Sequence, residues 1–149
     1  MGIASLILGL LSKGPKKASA PGKKDKPVAR ILVVDDHVTV CDVLEEFLRS
    51  RGYDAYTALD GPTAIAKVKA VRPHIVLLDI MMPGMGGMET LKEIRKVDPR
   101  VGIIMVTAIS DEELGKRAIE LGAYEYITKP IDFWRLETVL TVKMIDLLG

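Results

Sequence analysis

Five times in about 120 residues, a short run rich in branched aliphatic side chains is followed by a segment with the three-to-four-residue apolar spacing of a surface helix. The runs are ARILVVD, YDAYTAL, HIVLLDI, VGIIMVTA and AYEYITKP. The segments after them are HVTVCDVLEEFLRSRG, DGPTAIAKVKAVRP, MPGMGGMETLKEIRKVDP, SDEELGKRAIELG and IDFWRLETVLTVKMIDLLG. A stretch such as ILVV, apolar at every position, is a strand covered on both faces. Strands alternating with helices imply right-handed crossovers and a parallel sheet with helices on both sides. Five units are too few for an eight-fold barrel, so the expected fold is an open, doubly wound α/β sheet. Aromatics make up only 5% of the chain against 48% hydrophobic residues, so the core is aliphatic. Asp60 with Pro62, and Ser110 or Asp111, are the expected starts of the second and fourth helices. Gly52 and Gly122 stop the first and fourth. In the first helix Val40, Val43, Leu44, Phe47 and Leu48 are expected to face inward.

Doubly wound sheets place their sites outside the carboxyl ends of the strands. At those ends the sequence sets Asp35 and Asp36, Asp79, Thr107 with Ala108, and Thr128, Lys129 and Pro130. Adjacent strands lie about 4.8 Å apart, so these groups are expected on one rim. Two carboxylates about 4 Å apart repel by roughly 4 kcal/mol at an effective dielectric near 20; a cation between them removes that cost. Oxygen ligands with open positions suit Mg²⁺, and Lys129 adds a second positive centre. A carboxylate beside a metal and an ammonium can attack phosphorus and form an aspartyl phosphate, with Thr107 donating to a phosphoryl oxygen. One cysteine, Cys41, excludes an internal disulfide, and with only His37 and His74 beside it there is no Cys/His metal cluster. Cys41 is expected to be helix packing, and His37 a helix-start residue at the rim.

Charge is distributed unevenly. Residues 1–27 hold six of the 21 basic and one of the 20 acidic residues, so that segment is +5 and residues 28–149, with 15 basic and 19 acidic, are −4. An acidic body argues against a nucleic-acid-binding domain. The segment divides into an apolar start and, from Ser12, a Lys, Gly, Pro and Ser-rich linker. Its apolar part is too short to cross a bilayer, lacks the basic n-region of a secretory signal and has Leu6 where the myristoylation pattern wants Ser or Thr. Ile3, Leu6, Ile7, Leu10 and Leu11 share one helical face. The expectation is a peripheral contact of residues 1–12 with membrane or a partner, the lysines favouring an acidic surface; the alternatives are a frayed terminus or a helix packed on a domain. The division expected is therefore residues 1–27 and 28–149.

The pieces ILVVDD, VLLDIMMPGMGG, IIMVTA and GAYEYITKP, in that order and spacing, resemble the receiver domain of bacterial two-component response regulators from about residue 30 to 148. The resemblance implies a flavodoxin-like (βα)5 fold with strand order 2-1-3-4-5. It implies that Asp79 is the phosphoacceptor, that Asp36 binds Mg²⁺ directly and Asp35 through water, and that the Met81 carbonyl is a further ligand. It also implies that Lys129, placed by a cis bond to Pro130, contacts the phosphoryl group. Thr107 and Tyr126 are implied as the switch pair, and a sensor histidine kinase or histidine phosphotransfer protein as the donor, in the cytoplasm. Thr107 moves toward the phosphoryl oxygens and the Tyr126 ring fills the space, changing the surface of the fourth helix, fifth strand and fifth helix. Trp134 is expected partly exposed on that surface.

Met81 and Ile109, two residues after Asp79 and Thr107, are apolar where fast-hydrolysing relatives carry polar groups, so a slow loss of the phosphoryl group is expected. Ala108 leaves the site open to a donor. The chain stops after the fifth helix, so the expectation is a single-domain protein with no output enzyme, acting on a downstream protein target. The rival is a phosphorylation-independent adaptor with the same fold. Aspartyl-phosphate phosphatases carry a second Asp where Met81 stands, and a flavin-binding relative needs a Ser/Thr-rich loop where DDHVTV stands.

Overall fold

A computed structural model describes residues 28–148. The expected contact through residues 1–12, and the whole segment 1–27, lie outside the described residues. The elements alternate as read: β1 (Arg30–Val34), α1 (Val38–Ser50), β2 (Asp54–Ala58), α2 (Gly61–Val71), β3 (Ile75–Leu78), α3 (Gly87–Val97), β4 (Gly102–Thr107), α4 (Glu112–Glu120), β5 (Glu125–Thr128) and α5 (Phe133–Leu148). All five strands are parallel in the order β2-β1-β3-β4-β5.

Successive side chains of a strand point to opposite faces, and the central strands feed two cores in strict alternation. Ile31, Val33, Ile75 and Leu77 pack with Cys41, Leu44 and Leu48 of α1 and Leu136 and Leu140 of α5. Leu32, Val34, Val76 and Leu78 pack with Ala64 and Val68 of α2 and Leu91 and Ile94 of α3. Every residue of β3 and β4 is buried, which is why those runs carry no polar alternation. Fully burying such aliphatic side chains contributes roughly 1.5–3 kcal/mol each.

Asp60 caps α2 by accepting from the Thr63 N–H at 2.7 Å, and Asp111, not Ser110, caps α4 through Glu113 and Leu114. Gly52 and Gly122 both adopt positive φ just after their helices. The reading of α1 needs correction. Val43 is 49% exposed, and Cys41, with Leu44 and Leu48, takes the buried stripe. The i, i+3, i+7 set at 41, 44 and 48 aligns with the sheet, and the neighbouring branched residue is turned outward. Among the described residues no helix is long and apolar enough to cross a membrane.

Candidate functional site at the carboxyl ends of the strands

The acidic and basic groups of the rim sit one residue past their strands, and each is still held by a ladder hydrogen bond. Asp35 N–H donates to the Ala58 carbonyl (3.1 Å), Asp79 N–H to Val34 (3.0 Å) and Lys129 N–H to Thr107 (2.8 Å). The sheet therefore fixes the backbones of Asp35 and Asp79 on the neighbouring strands β1 and β3, and that of Lys129 on β5, one strand beyond β4. The Lys129–Pro130 peptide is cis. The loop after Asp79 folds back sharply: the Gly87 N–H donates to the Ile80 carbonyl at 2.9 Å. A Cβ on Gly87 would lie 2.0 Å from the Asp79 carbonyl oxygen. Only glycine lets α3 begin directly on the backbone of Asp79.

Asp35 and Asp79 are 2% and 3% exposed. Lys129 Nζ donates to Asp35 Oδ2 at 2.6 Å and to Asp79 Oδ2 at 3.1 Å. The remaining oxygens are also addressed: Asp35 Oδ1 accepts from the His37 N–H at 2.9 Å, and Asp79 Oδ1 from the Met81 N–H at 3.2 Å. Burial pushes the Lys129 ammonium toward neutrality, but its hydrogen bonds to Asp35 and Asp79 outweigh that and hold its pKa above the ordinary 10.5. Burial likewise opposes ionisation of Asp35, and the hydrogen bonds from Lys129 and His37 reverse the balance, holding its pKa below 3.8.

Asp36 differs. Its Oδ1 is buried and has no hydrogen-bond partner. His37 Nδ1 lies 3.2 Å away but is already 3.0 Å from Asp35 Oδ1, and a single ring proton cannot serve both. One ligand atom from each of Asp35, Asp36, His37 and Asp79 falls within 4.8 Å of the others. Three carboxylates against one ammonium leave the cluster anionic. An orphaned carboxylate oxygen among oxygen donors fits a divalent cation.

Thr107 is fully buried and Ala108 beside it is exposed. Thr107 Oγ1 accepts from the Ile109 N–H at 3.4 Å, and the half-buried Tyr126 donates its hydroxyl to the Ile109 carbonyl at 2.5 Å. The two side chains meet through opposite ends of one loop residue, a link with no signature in the sequence. Met81 and Trp134 are 62% and 49% exposed. His37 is more than a rim residue: it is the N-cap of α1 and its ring joins the acidic cluster. The available signal was its place directly after the acid pair.

The sequence and the fold have counterparts among known proteins. Residues 31–141 match the family model of the response regulator receiver domain. The transcriptional regulatory protein ZraR of Salmonella typhimurium LT2 is 42% identical over 110 residues, 74% of this chain and 25% of that protein. This chain thus spans about a quarter of that relative. A CheY-like receiver domain protein from Methanospirillum hungatei superposes with a TM-score of 0.78 at 30% identity, covering 81% of this chain and 97% of the other. NtrX from Brucella abortus gives 0.76 at 33% identity over 81% of this chain and 28% of its own. With the strand order, the rim of carboxylates and the family match in agreement, the chain belongs to the response regulator receiver domains of two-component signalling.

Proposed function

We propose that Asp79 accepts a phosphoryl group from a phosphohistidine on a sensor histidine kinase or a histidine phosphotransfer protein, and that the modified receiver is read by a protein partner. A carboxylate oxygen of Asp79 attacks phosphorus, the new O–P bond forms as the P–N bond breaks, and the imidazole of the donor leaves with the electron pair. Lys129, already hydrogen-bonded to Asp79 Oδ2, offsets the charge gathering on the phosphoryl oxygens. Asp36, Asp79 and the Met81 carbonyl would hold Mg²⁺ directly and Asp35 through water. The ion, when bound, supplies charge neutralisation for phosphate oxygens.

Phosphorylation adds charge and strong acceptors at Asp79. The Thr107 hydroxyl turns to them and gives up the Ile109 N–H, and the Tyr126 tie to the same residue loosens. The face built from α4, β5 and α5, including Trp134, carries the change to the partner. An acidic body makes a protein the expected target rather than nucleic acid.

The observation that carries this reading is the bridge of one lysine across two buried carboxylates from different strands. The test is incubation with acetyl phosphate and Mg²⁺, followed by intact-mass spectrometry. An acid-labile phosphoryl adduct is expected in the native chain and absent from Asp79→Asn. With apolar Met81 and Ile109 beside the site, the adduct should last minutes or longer without a phosphatase. No adduct in the native chain would leave the adaptor reading in its place.

A further inference from the structure

Resting on the cation site just proposed, we infer that His37 gives that site a nitrogen ligand. The site then takes a transition-metal dication such as Mn²⁺, Co²⁺ or Zn²⁺ in preference to Mg²⁺.

The placement of the ring supports this first. Nδ1 lies 3.0 Å from Asp35 Oδ1 and 3.2 Å from Asp36 Oδ1, while Lys129 holds the other Asp35 oxygen. The four candidate ligand atoms span at most 4.8 Å. Two ligands on opposite sides of an ion with bonds of about 2.1 Å are about 4.2 Å apart. A contraction of roughly half an ångström therefore closes Asp36, His37 and Asp79 around one ion, with Asp35 reached through water.

The ring can make that move at little cost. The His37 side chain is 66% exposed, and it makes no capping hydrogen bond to α1 although it stands at the N-cap. When Nδ1 turns its lone pair to a metal, Asp35 is not stranded. The His37 N–H still donates to Oδ1 at 2.9 Å and Lys129 still donates to Oδ2. Asp36 Oδ1 has no partner to lose.

The chemistry then sets the preference. Oxygen-only sites suit Mg²⁺, whereas imidazole is a good ligand for later divalent metals, and affinity rises along the first row toward copper. One nitrogen among carboxylates shifts the balance in that direction without excluding Mg²⁺.

The experiment uses the full chain at one fixed pH. Pulsed electron paramagnetic resonance of bound Mn²⁺ reads nitrogen coupling directly, and calorimetric titration gives the affinities for Mn²⁺, Zn²⁺ and Mg²⁺. The chain has two histidines, and His74 lies at the start of β3, at the far end of the sheet. An imidazole-type nitrogen coupling is expected in the native chain and lost in His37→Ala and His37→Gln. In both variants the Zn²⁺ to Mg²⁺ affinity ratio should fall about tenfold or more, the scale on which metal sites respond to lost ligand support. Bound Mn²⁺ without nitrogen coupling, or a ratio unchanged in His37→Ala, overturns the nitrogen ligand and leaves the phosphoacceptor reading intact. A native ratio retained by His37→Gln alone also overturns it, because the ring would then act only as a hydrogen-bond donor. Failure of Mn²⁺ and Mg²⁺ alike to bind the native chain removes the cation site itself.

Discussion

At the amino-terminal end of the sheet, Arg30 donates to the carbonyls of Val71 and Arg72. At the same end Arg95 donates to those of Pro99, Val101 and Gly122, at 3.0, 2.7 and 2.6 Å. At the carboxyl-terminal end, Lys129 faces Asp35 and Asp79, and Asp36 keeps an oxygen without a partner. Both ends carry charge at the mouths of the same strands. The first spends it mainly on neutral backbone acceptors, which ties loops to the sheet, and Arg95 Nε there stays buried without a hydrogen-bond partner among the described residues. The second sets like charges together, around a single ammonium, and leaves a binding vacancy in its hydrogen bonding. The first arrangement should therefore act on stability alone, and the second should exchange stability for chemistry.

The sharpest way to break this contrast is Lys129→Met. It leaves two buried carboxylates facing each other without their cation, at a cost of about 3 kcal/mol, the low end for breaking a buried ion pair. Urea unfolding without divalent ions measures it, and added Mg²⁺ should recover part of the loss while phosphoryl transfer stays impaired. A cost below about 1 kcal/mol would place the pair among solvated surface bridges.

Arg95→Met tests the opposite end. Three short hydrogen bonds from a charged donor disappear, and a loss of about 2 kcal/mol is expected. The rate of labelling by acetyl phosphate should not change. A slowed reaction would mean that the two ends are coupled through the strands between them. Tyr126→Phe is smaller again, about 1 kcal/mol for the hydroxyl contact with the Ile109 carbonyl. Its informative readout is partner binding with and without phosphorylation, where a lost difference marks Tyr126 as part of the switch.

The contrast also separates what was legible in the sequence. The strand runs, their order along the chain and the acids that follow them could be read because each is local: ILVV and IVLL announce double burial, and the residue after each announces the rim. The alternation of Ile31 and Val33 with Leu32 and Val34 between two cores follows from the strand period. What escaped depends on pairs distant in sequence or on rotation about a helix axis. Val43 faces outward because it stands about 200° around α1 from Cys41, which is buried. The His37 ring joins the acids only because the chain bends after Asp36. The meeting of Thr107 and Tyr126 at Ile109 spans two strands, and the role of Gly87 depends on a loop returning to its own start. Arg95, which laces the amino-terminal end, has the sequence appearance of an ordinary solvated helix residue.

pH separates the two ends, with the smallest effect at the amino-terminal one. His74 Nδ1 accepts the Arg30 N–H at 3.0 Å, so the ring is held neutral. Burial, and then the nearby Arg30 charge, lower its pKa from the ordinary 6.5. The unfolded chain therefore takes up this proton first as pH falls. The stability that His74 contributes is complete above about pH 6.5 and is lost from there downward through the folded-state value. Asp35, with its pKa depressed below 3.8, contributes stability that is lost only as pH falls through a much lower range. Lys129, raised above 10.5, contributes stability that is lost only on the alkaline side. Between about pH 7 and about pH 5.5 the Asp35–Lys129 pair is thus constant, and the difference between the native chain and a His74 variant reads the amino-terminal end. The melting temperature of His74→Gln should decline less over that interval than that of the native chain. Parallel declines would mean that the Arg30–His74 contact is solvated and that the amino-terminal end owes its stability to the arginine–carbonyl hydrogen bonds alone.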